Sequence, residues 1–122
     1  MEDWANDACA ITLLTSPRSW VKIFQHHIVA DGEAILVARA QLDIHDDLPG
    51  VWGLTEIETE YGHQNCGYGR ILIQEIRRWA KSDDCTVYTV KAREESRGFF
   101  AKVGAQWQPD TEEFLIFKPA GT

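Results

Sequence analysis

The chain has 122 residues and a mass of 13.9 kDa, which is the size of one domain, residues 1–122, with a single core. Its 44% hydrophobic and 25% charged residues are typical of a soluble globular protein, and no apolar run approaches the roughly 20 residues of a membrane span. The acidic start does not resemble a signal peptide, and three cysteines without metal-ligand spacing favour a reduced, cytoplasmic setting.

The net charge of −7 is unevenly placed along the chain. Residues 1–63 hold 3 basic against 11 acidic side chains, residues 64–102 hold 8 against 5, and residues 103–122 hold 1 against 3. The positive block would attract a polyanionic cofactor, whereas the acidic remainder favours a cationic partner and disfavours nucleic acid. Charge blocks of this kind are also common as solvated faces, and that interpretation stays open.

Four strands are predicted in the first half of the chain. Residues 1–9 show no periodicity, and we expect them to be flexible. The predicted strands cover residues 10–15, 20–30, 33–42 and 51–60. Asp31-Gly32 separates two long β-rich runs and is the strongest short signal for a hairpin. Three histidines, His26, His27 and His45, are expected on strand or loop surfaces.

The second half alternates helices and strands. Leu72, Ile76, Trp79 and Ala80 follow the spacing of an amphipathic helix over about residues 68–82 and form its predicted buried stripe. A strand at 85–91, a short helix at 96–103 stopped by Gly104, and a strand at 112–118 follow. The order β-β-β-β-α-β-α-β predicts an α/β (α+β) fold with a mixed central sheet.

A glycine-containing turn joins the fourth strand to the first helix. Gly67 and Gly69 would leave backbone N–H groups uncovered at the helix N-terminus, which suits a phosphate. No Walker sequence is present, and a dinucleotide fingerprint fails because Leu72 stands where its third glycine belongs. An ordinary turn that uses glycine for positive φ stays open as an alternative.

Two segments carry a resemblance to a known family. Gln64, Gly67 and Gly69 fit Gln/Arg-x-x-Gly-x-Gly/Ala, which resembles the acetyl-CoA pyrophosphate loop of the GNAT superfamily of N-acetyltransferases. Residues 93–104 are similar to that family's Asn-x-x-Ala-x-x-x-Tyr-x-Lys-x-Gly segment, with Ser96, Phe100, Lys102 and Gly104 in register. The resemblance covers about residues 20–118 and implies the GNAT acyl-CoA N-acyltransferase fold, with an acetyl-CoA-binding core at 51–104. Its N-terminal helices would be reduced or absent, because only residues 16–19 separate the first two predicted strands.

The resemblance also implies the cofactor and its contacts. The pantetheine arm of acetyl-CoA would pair with the end of the fourth strand, and the N–H of Ile57 would polarise the thioester oxygen. The pyrophosphate would lie on the N–H groups of residues 65–70. The implied cofactor-binding residues are Ile57, Glu58, Thr59, Gln64, Asn65, Cys66, Gly67, Tyr68, Gly69, Arg70, Arg93 and Phe100.

The general base is open to several interpretations. The histone-acetyltransferase branch of the family carries a glutamate where ungapped register places Gly53. Strand alternation sends Glu56 and Glu58 to one face, so they are the candidate catalytic bases, although solvated strand carboxylates would look the same. His63, which precedes the loop, is the next candidate.

The general acid departs from the family pattern. Phe100 stands where the family usually has a tyrosine that protonates the leaving thiolate. Tyr68 or Tyr88 could replace that hydroxyl, or the thiolate could leave without a donor. Cys66 could instead be a nucleophile at a helix N-terminus, but its place in the phosphate loop disfavours this.

The resemblance implies an enzyme that moves an acetyl group from acetyl-CoA to a primary amine of a small molecule, peptide or protein by direct attack. The alternative is a catalytically weak or inactive module that binds acyl-CoA or another protein. The acceptor groove would be open, or completed by a second subunit of a homodimer, for which some of the five tryptophans could form the interface. No metal, nucleic acid or membrane partner is expected.

Overall fold

In the part of the chain that the structure describes, two helices accompany a single mixed sheet of seven strands. The computed structural model describes residues 9–15, 21–44, 49–62, 64 and 66–120. The elements are β1 (Cys9–Thr15), β2 (Val21–Ala30), β3 (Glu33–Ile44), β4 (Val51–Thr59), α1 (Tyr68–Asp83), β5 (Thr86–Thr89), a 3₁₀ turn (Glu94–Ser96), α2 (Arg97–Lys102), β6 (Gln106–Gln108) and β7 (Glu113–Phe117). The predicted order is confirmed, with β6 as an additional strand.

Differences from the predicted boundaries are confined to short segments. Cys9 opens β1, so it does not belong to a flexible start, and residues 1–8 lie outside the described residues. Sequence analysis missed β6, because its three residues are too few for an alternation pattern and two of them are exposed. Its pairing with β7 fixes it at one edge of the sheet.

The strand order in the sheet is β1-β2-β3-β4-β5-β7-β6. All neighbours are antiparallel except β4 and β5, which run parallel with α1 as their crossover. The connection between β1 and β2 spans residues 16–20, which is too short to hold two helices. The short connection agrees with the expectation, implied by the family resemblance, that the N-terminal helices are reduced or absent.

The predicted hairpin at Asp31-Gly32 is confirmed. Both residues have positive φ, +52° and +80°, and the flanking Ala30 and Glu33 pair with each other. Positive φ at both central positions is the requirement of the tight turn whose twist matches two antiparallel strands.

Helix α1 covers one face of the sheet. Its buried residues are Leu72, Ile73, Ile76 and Ala80, which pack with Phe24, Leu42 and other strand residues in one core. The prediction that Trp79 lies on this stripe is wrong: the side chain is 39% exposed and its Nε1 donates to Glu75 Oε2 at 3.1 Å. None of the helices in the described ranges is long and apolar enough to cross a membrane.

The surface expectation for His26 is also wrong. Alternation along β2 turns Phe24 and His26 to the α1 side, opposite Ala40 and Ala38, and His26 is only 2% exposed. Burial, with a smaller contribution from His27, lowers the pKa of His26. The ring therefore behaves as a neutral core side chain. His45 lies outside the described residues.

Candidate active site

The parallel pair of strands at the centre of the sheet separates part-way along its length. Cα pairing of β4 with β5 runs from Val51–Thr86 to Leu54–Thr89, and the last bond joins Val90 N–H to Leu54 O at 2.8 Å. β4 then continues to Thr59, paired only with β3 among the described residues. Its other edge offers backbone donors and acceptors that an extended ligand can pair with.

A bulge in β4 lies where the separation begins. Leu42 pairs with Leu54 and Gln41 with Glu56, so Thr55 has no opposite residue on β3. Its Oγ1 donates to Gln41 O at 3.2 Å. Bulges bend a strand and redirect the side chains that follow, which here are those of Glu56 to Thr59.

The separation opens a cleft of about 150 Å³ between the two strands. Five of the residues predicted for the site line it, namely Glu56, Ile57, Glu58, Arg93 and Phe100. The remaining lining residues, which sequence analysis did not assign to the site, are Leu54, Thr55, Thr89, Val90, Lys91, Ala92 and Ser96. Strand β4 therefore forms one wall, and the segment after β5 forms the other.

A second pocket, of about 690 Å³, lies at the N-terminus of α1. Predicted residues that line it are Thr59, Gln64, Gly67, Tyr68, Gly69 and Arg70. Cys66 is exposed beside it, and Asn65 and His63 lie outside the described residues. Sequence analysis did not assign the other lining residues, Glu95, Phe99, Lys102 and Val103, to the site. The basic charge of Lys102 inside the positive block was an available signal.

The start of α1 exposes backbone amides to this second pocket. Gly67 precedes the helix in a left-handed conformation and makes no side-chain cap, and Ile71 N–H is the first to bond back, to Gly67 O at 3.1 Å. The N–H groups of Gly69 and Arg70 therefore have no acceptor within the helix. Arg70 adds a positive side chain at the same rim.

The two glycines of the loop are needed for different reasons. Gly67 has a φ of +85°, and a Cβ there would meet nothing within 4 Å, so the requirement is conformational. Gly69 lies within the helix, where a Cβ would come 3.1 Å from Cε1 of Phe99. The second requirement is therefore close packing of α2 against the start of α1.

The two candidate bases differ in their surroundings. Glu56 forms an ion pair with Arg39 of β3 through Oε1. Glu58 lines the same cleft, is exposed, and has no hydrogen-bond or ion-pair partner among the described residues. Both oxygens of Glu58 are therefore unpaired among the described residues, whereas Oε1 of Glu56 is engaged by Arg39.

Any side chain at position 53 would collide with Val90 in this arrangement. A Cβ on Gly53 would lie 2.7 Å from Cγ2 of Val90, closer than such atoms approach. Val90 is the residue at which β5 leaves β4 and is also part of the cleft wall. The side chain of Val90 thus fills the space that a base at position 53 would need.

Phe100 contributes an apolar wall to the cleft. It is 3% exposed and packs against Phe114, with ring centroids 5.4 Å apart. Neither of the tyrosines considered as a substitute donor lines this cleft: Tyr68 faces the second pocket and contacts His26, and Tyr88 lies on β5. Of the described residues, none forms a cluster of His, Cys, Asp and Glu that could hold a metal.

Sequence analysis missed a hydrogen-bond network that holds the second wall of the cleft. The carboxylate of Glu113 accepts from Thr89 Oγ1 at 2.7 Å, from Lys91 N–H at 2.6 Å and from Ala92 N–H at 3.4 Å. Thr89 Oγ1 in turn accepts from Phe114 N–H at 2.9 Å. The network fixes Lys91 at a φ of +55°, which lies in the left-handed region.

Comparison with solved structures finds this fold in several proteins. A GNAT-family protein from Desulfovibrio desulfuricans is 11% identical, with 88% of this chain and 95% of that chain covered and a TM-score of 0.66. AtaTR bound with acetyl-CoA gives 10% identity, 89% and 92% coverage and a TM-score of 0.68. KacTA in complex with DNA is 11% identical, with 78% of this chain and 66% of that chain covered and a TM-score of 0.62.

Comparison with known sequences gives two results. No curated protein matches the chain. The family model described as "Acetyltransferase (GNAT) family" matches residues 2–105, which is most of the chain. The similar solved structures include one described as a GNAT-family protein, which has the same fold as this chain. The chain is therefore a member of the GNAT acetyltransferase family.

Proposed function

We propose that the chain binds acetyl-CoA and transfers its acetyl group to a primary amine of a small molecule, peptide or protein by direct attack. The observation that carries the proposal is the separation of β4 from β5 beyond Leu54, continued by the pocket at the start of α1. The cleft would hold the thioester part of acetyl-CoA, and the adjacent helix N-terminus would hold its diphosphate. The acetyl-CoA in the AtaTR structure supports the same cofactor.

The cofactor would extend along both openings. The pantetheine amides would pair with the free edge of β4 at Ile57–Thr59, while the diphosphate would accept hydrogen bonds from the amides before Ile71. Arg70 and Lys102, which line the second pocket, would add positive charge. Arg93 and Phe100 would contact the cofactor from the second wall.

The reaction needs a neutral amine and a polarised thioester. The N–H of Ile57 would donate to the thioester oxygen, and Glu58 would take the proton that the amine loses, directly or through water. The amine nitrogen forms a bond to the carbonyl carbon, the C–S bond breaks, and the electron pair leaves with sulfur. No covalent intermediate on the protein is required.

The acceptor is proposed to be cationic, because Glu56 and Glu58 line the cleft and residues 1–63 are strongly acidic. The short connection at residues 16–20 would leave its groove open to a peptide, or a second subunit would complete it. A monomer mass in sedimentation at every concentration contradicts the homodimer. The expectation that nucleic acid does not bind stays a prediction, since one structural neighbour is in complex with DNA.

Calorimetry with acetyl-CoA tests the proposed cofactor site. Wild-type protein is expected to bind on the order of micromolar, and Gly67→Glu to weaken binding at least about 100-fold, because its carboxylate would repel the diphosphate. Gly32→Glu is the matched control: its φ of +80° is close to the +85° of Gly67 and its surroundings are equally open, but Gly32 lines neither pocket. Equal binding by both variants contradicts the site.

The second candidate function is a module that binds acyl-CoA or another protein without useful catalysis. Two observations favour it: Phe100 lacks a hydroxyl, and Val90 fills the space beside Gly53. Release of free thiol from acetyl-CoA with spermidine, or with a lysine-containing peptide that has a free N-terminus, separates the two functions. Tight binding without thiol release for either amine favours the module.

A further inference from the structure

Among the described residues, three hydroxyl side chains line the cleft between β4 and β5: Thr55, Thr89 and Ser96. The hydroxyl of Thr55 donates to Gln41 O at 3.2 Å. That of Thr89 is buried, donates to Glu113 and accepts from the N–H of Phe114. Both protons are therefore committed to the fold, which leaves Ser96.

Ser96 is half-buried and ends the 3₁₀ turn that leads into α2. It occupies the position before the helix, where a serine oxygen commonly accepts a bond from the first turn, yet it makes no such cap. None of the described residues is a hydrogen-bond partner of its Oγ. Because the residue lines the cleft, this hydroxyl is available to a ligand there.

The apolar side chains around Ser96 would strengthen a hydrogen bond that its hydroxyl donates. Phe100 follows one helical turn later and lines the same cleft, and Leu54 and Val90 add apolar surface. Hydrogen bonds to a developing charge are stronger beside such apolar side chains than in bulk water. Lys91 and Arg93 also line the cleft, but both side chains are exposed, so water competes for their protons.

We propose that the hydroxyl of Ser96 donates a hydrogen bond to the sulfur of coenzyme A as the thiolate leaves, which makes it a catalytic residue. The inference rests on the proposed function. When the C–S bond breaks, its electron pair stays on sulfur, which accepts the hydrogen bond. Ser96 keeps its proton, and the thiolate is later protonated by solvent.

The thiol of bound coenzyme A reports this contact without any acceptor amine. Its ionisation can be followed by the ultraviolet absorbance of the thiolate in wild type, Ser96→Ala and Ser96→Thr. We expect the thiol pKa in wild type and in Ser96→Thr to be about one unit lower than in Ser96→Ala, because one hydrogen bond to the charged form is lost. Ser82→Ala, an exposed serine of α1 that lines neither opening, is the control and should match wild type.

Turnover gives the second readout. Ser96→Ala is expected to lower kcat about tenfold, with KM for acetyl-CoA within about twofold, as for an interaction made as charge develops. Equal thiol pKa and kcat in Ser96→Ala and Ser82→Ala overturns the proposal for Ser96 and leaves the proposed function standing. Absence of coenzyme A binding or of thiol release in wild type ends both proposals.

Discussion

The two ends of the candidate site are built from different materials. At the phosphate end, the groups offered to a ligand are backbone amides at the start of α1, presented by the left-handed Gly67. At the proposed acyl end, which is the cleft between β4 and β5, the chemistry would depend on individual side chains, chiefly Glu58, Ser96 and Phe100. The glycine pattern that resembles the family's loop is kept at the first end, whereas at the second end Phe100 stands where the resemblance predicts a tyrosine.

The difference follows from what each end requires. Every residue except proline supplies a backbone N–H, so a phosphate site survives most uncharged substitutions that keep the turn and the helix start. A proton acceptor or donor is a single functional group, and one substitution removes it. Substitutions at the acyl end should therefore change turnover, while those at the phosphate end should change cofactor affinity.

The largest expected effect separates the two glutamates of β4. Glu58→Gln is expected to lower kcat by about 10²-fold or more, the usual loss when a general base is removed. Glu56→Gln should have a much smaller effect, because that carboxylate is paired with Arg39. Steady-state thiol release measures both, and calorimetry should show acetyl-CoA affinity unchanged in each.

The same measurements can also contradict the assignment of Glu58 as the general base. A larger loss in Glu56→Gln than in Glu58→Gln would make the Arg39-paired carboxylate the base. Equal activity of both variants and wild type would leave the acyl end without a carboxylate base.

The next effect concerns the contact between Gly53 and Val90. Gly53→Ala is expected to lower the free energy of unfolding by about 1–3 kcal/mol, because the new Cβ would overlap Cγ2 of Val90. Urea unfolding measures the loss. Gly98→Ala in α2 is the matched control: nothing lies within 4 Å of its Cβ, so it should be neutral or stabilising by up to about 1 kcal/mol.

A double variant sharpens this test. Gly53→Ala with Val90→Ala should recover part of the lost stability, since the smaller side chain removes the overlap. No recovery would mean that the cost at Gly53 arises elsewhere than in this contact.

The turn and the helix at the proposed phosphate end were largely predictable from sequence because their determinants are local. The apolar spacing of α1 and the two glycines at its start lie within 20 residues of each other, and the turn at Asp31-Gly32 needs only its own two residues. Signals of this kind depend on φ and on helix periodicity, which neighbouring residues largely determine. Trp79 was misassigned because helix periodicity alone does not decide which residue at the edge of the stripe is buried. Tertiary packing buries Ile73 instead.

The acyl end was less predictable because its determinants are distant in sequence. The contact of Gly53 with Val90 and the ion pair of Glu56 with Arg39 each join different elements. No local pattern encodes such pairs, since their partners are brought together only by the register of the sheet. Sequence could name Glu56 and Glu58 as candidates but could not distinguish the paired one.

The smallest expected effect tests whether the fold also supports the acyl end from a distance. Glu113 lies on β7, yet its carboxylate accepts from the N–H groups of Lys91 and Ala92 in the cleft wall. Glu113→Gln keeps the shape but turns an NH₂ group toward those donors, so we expect a loss of about 1 kcal/mol in stability and faster amide exchange at Lys91 and Ala92. Exchange in α1 should not change, because the phosphate end does not depend on this wall. Glu112→Gln removes the same charge from the adjacent exposed residue and should leave both segments as in wild type. Faster exchange at both ends would instead show that the two ends share one support.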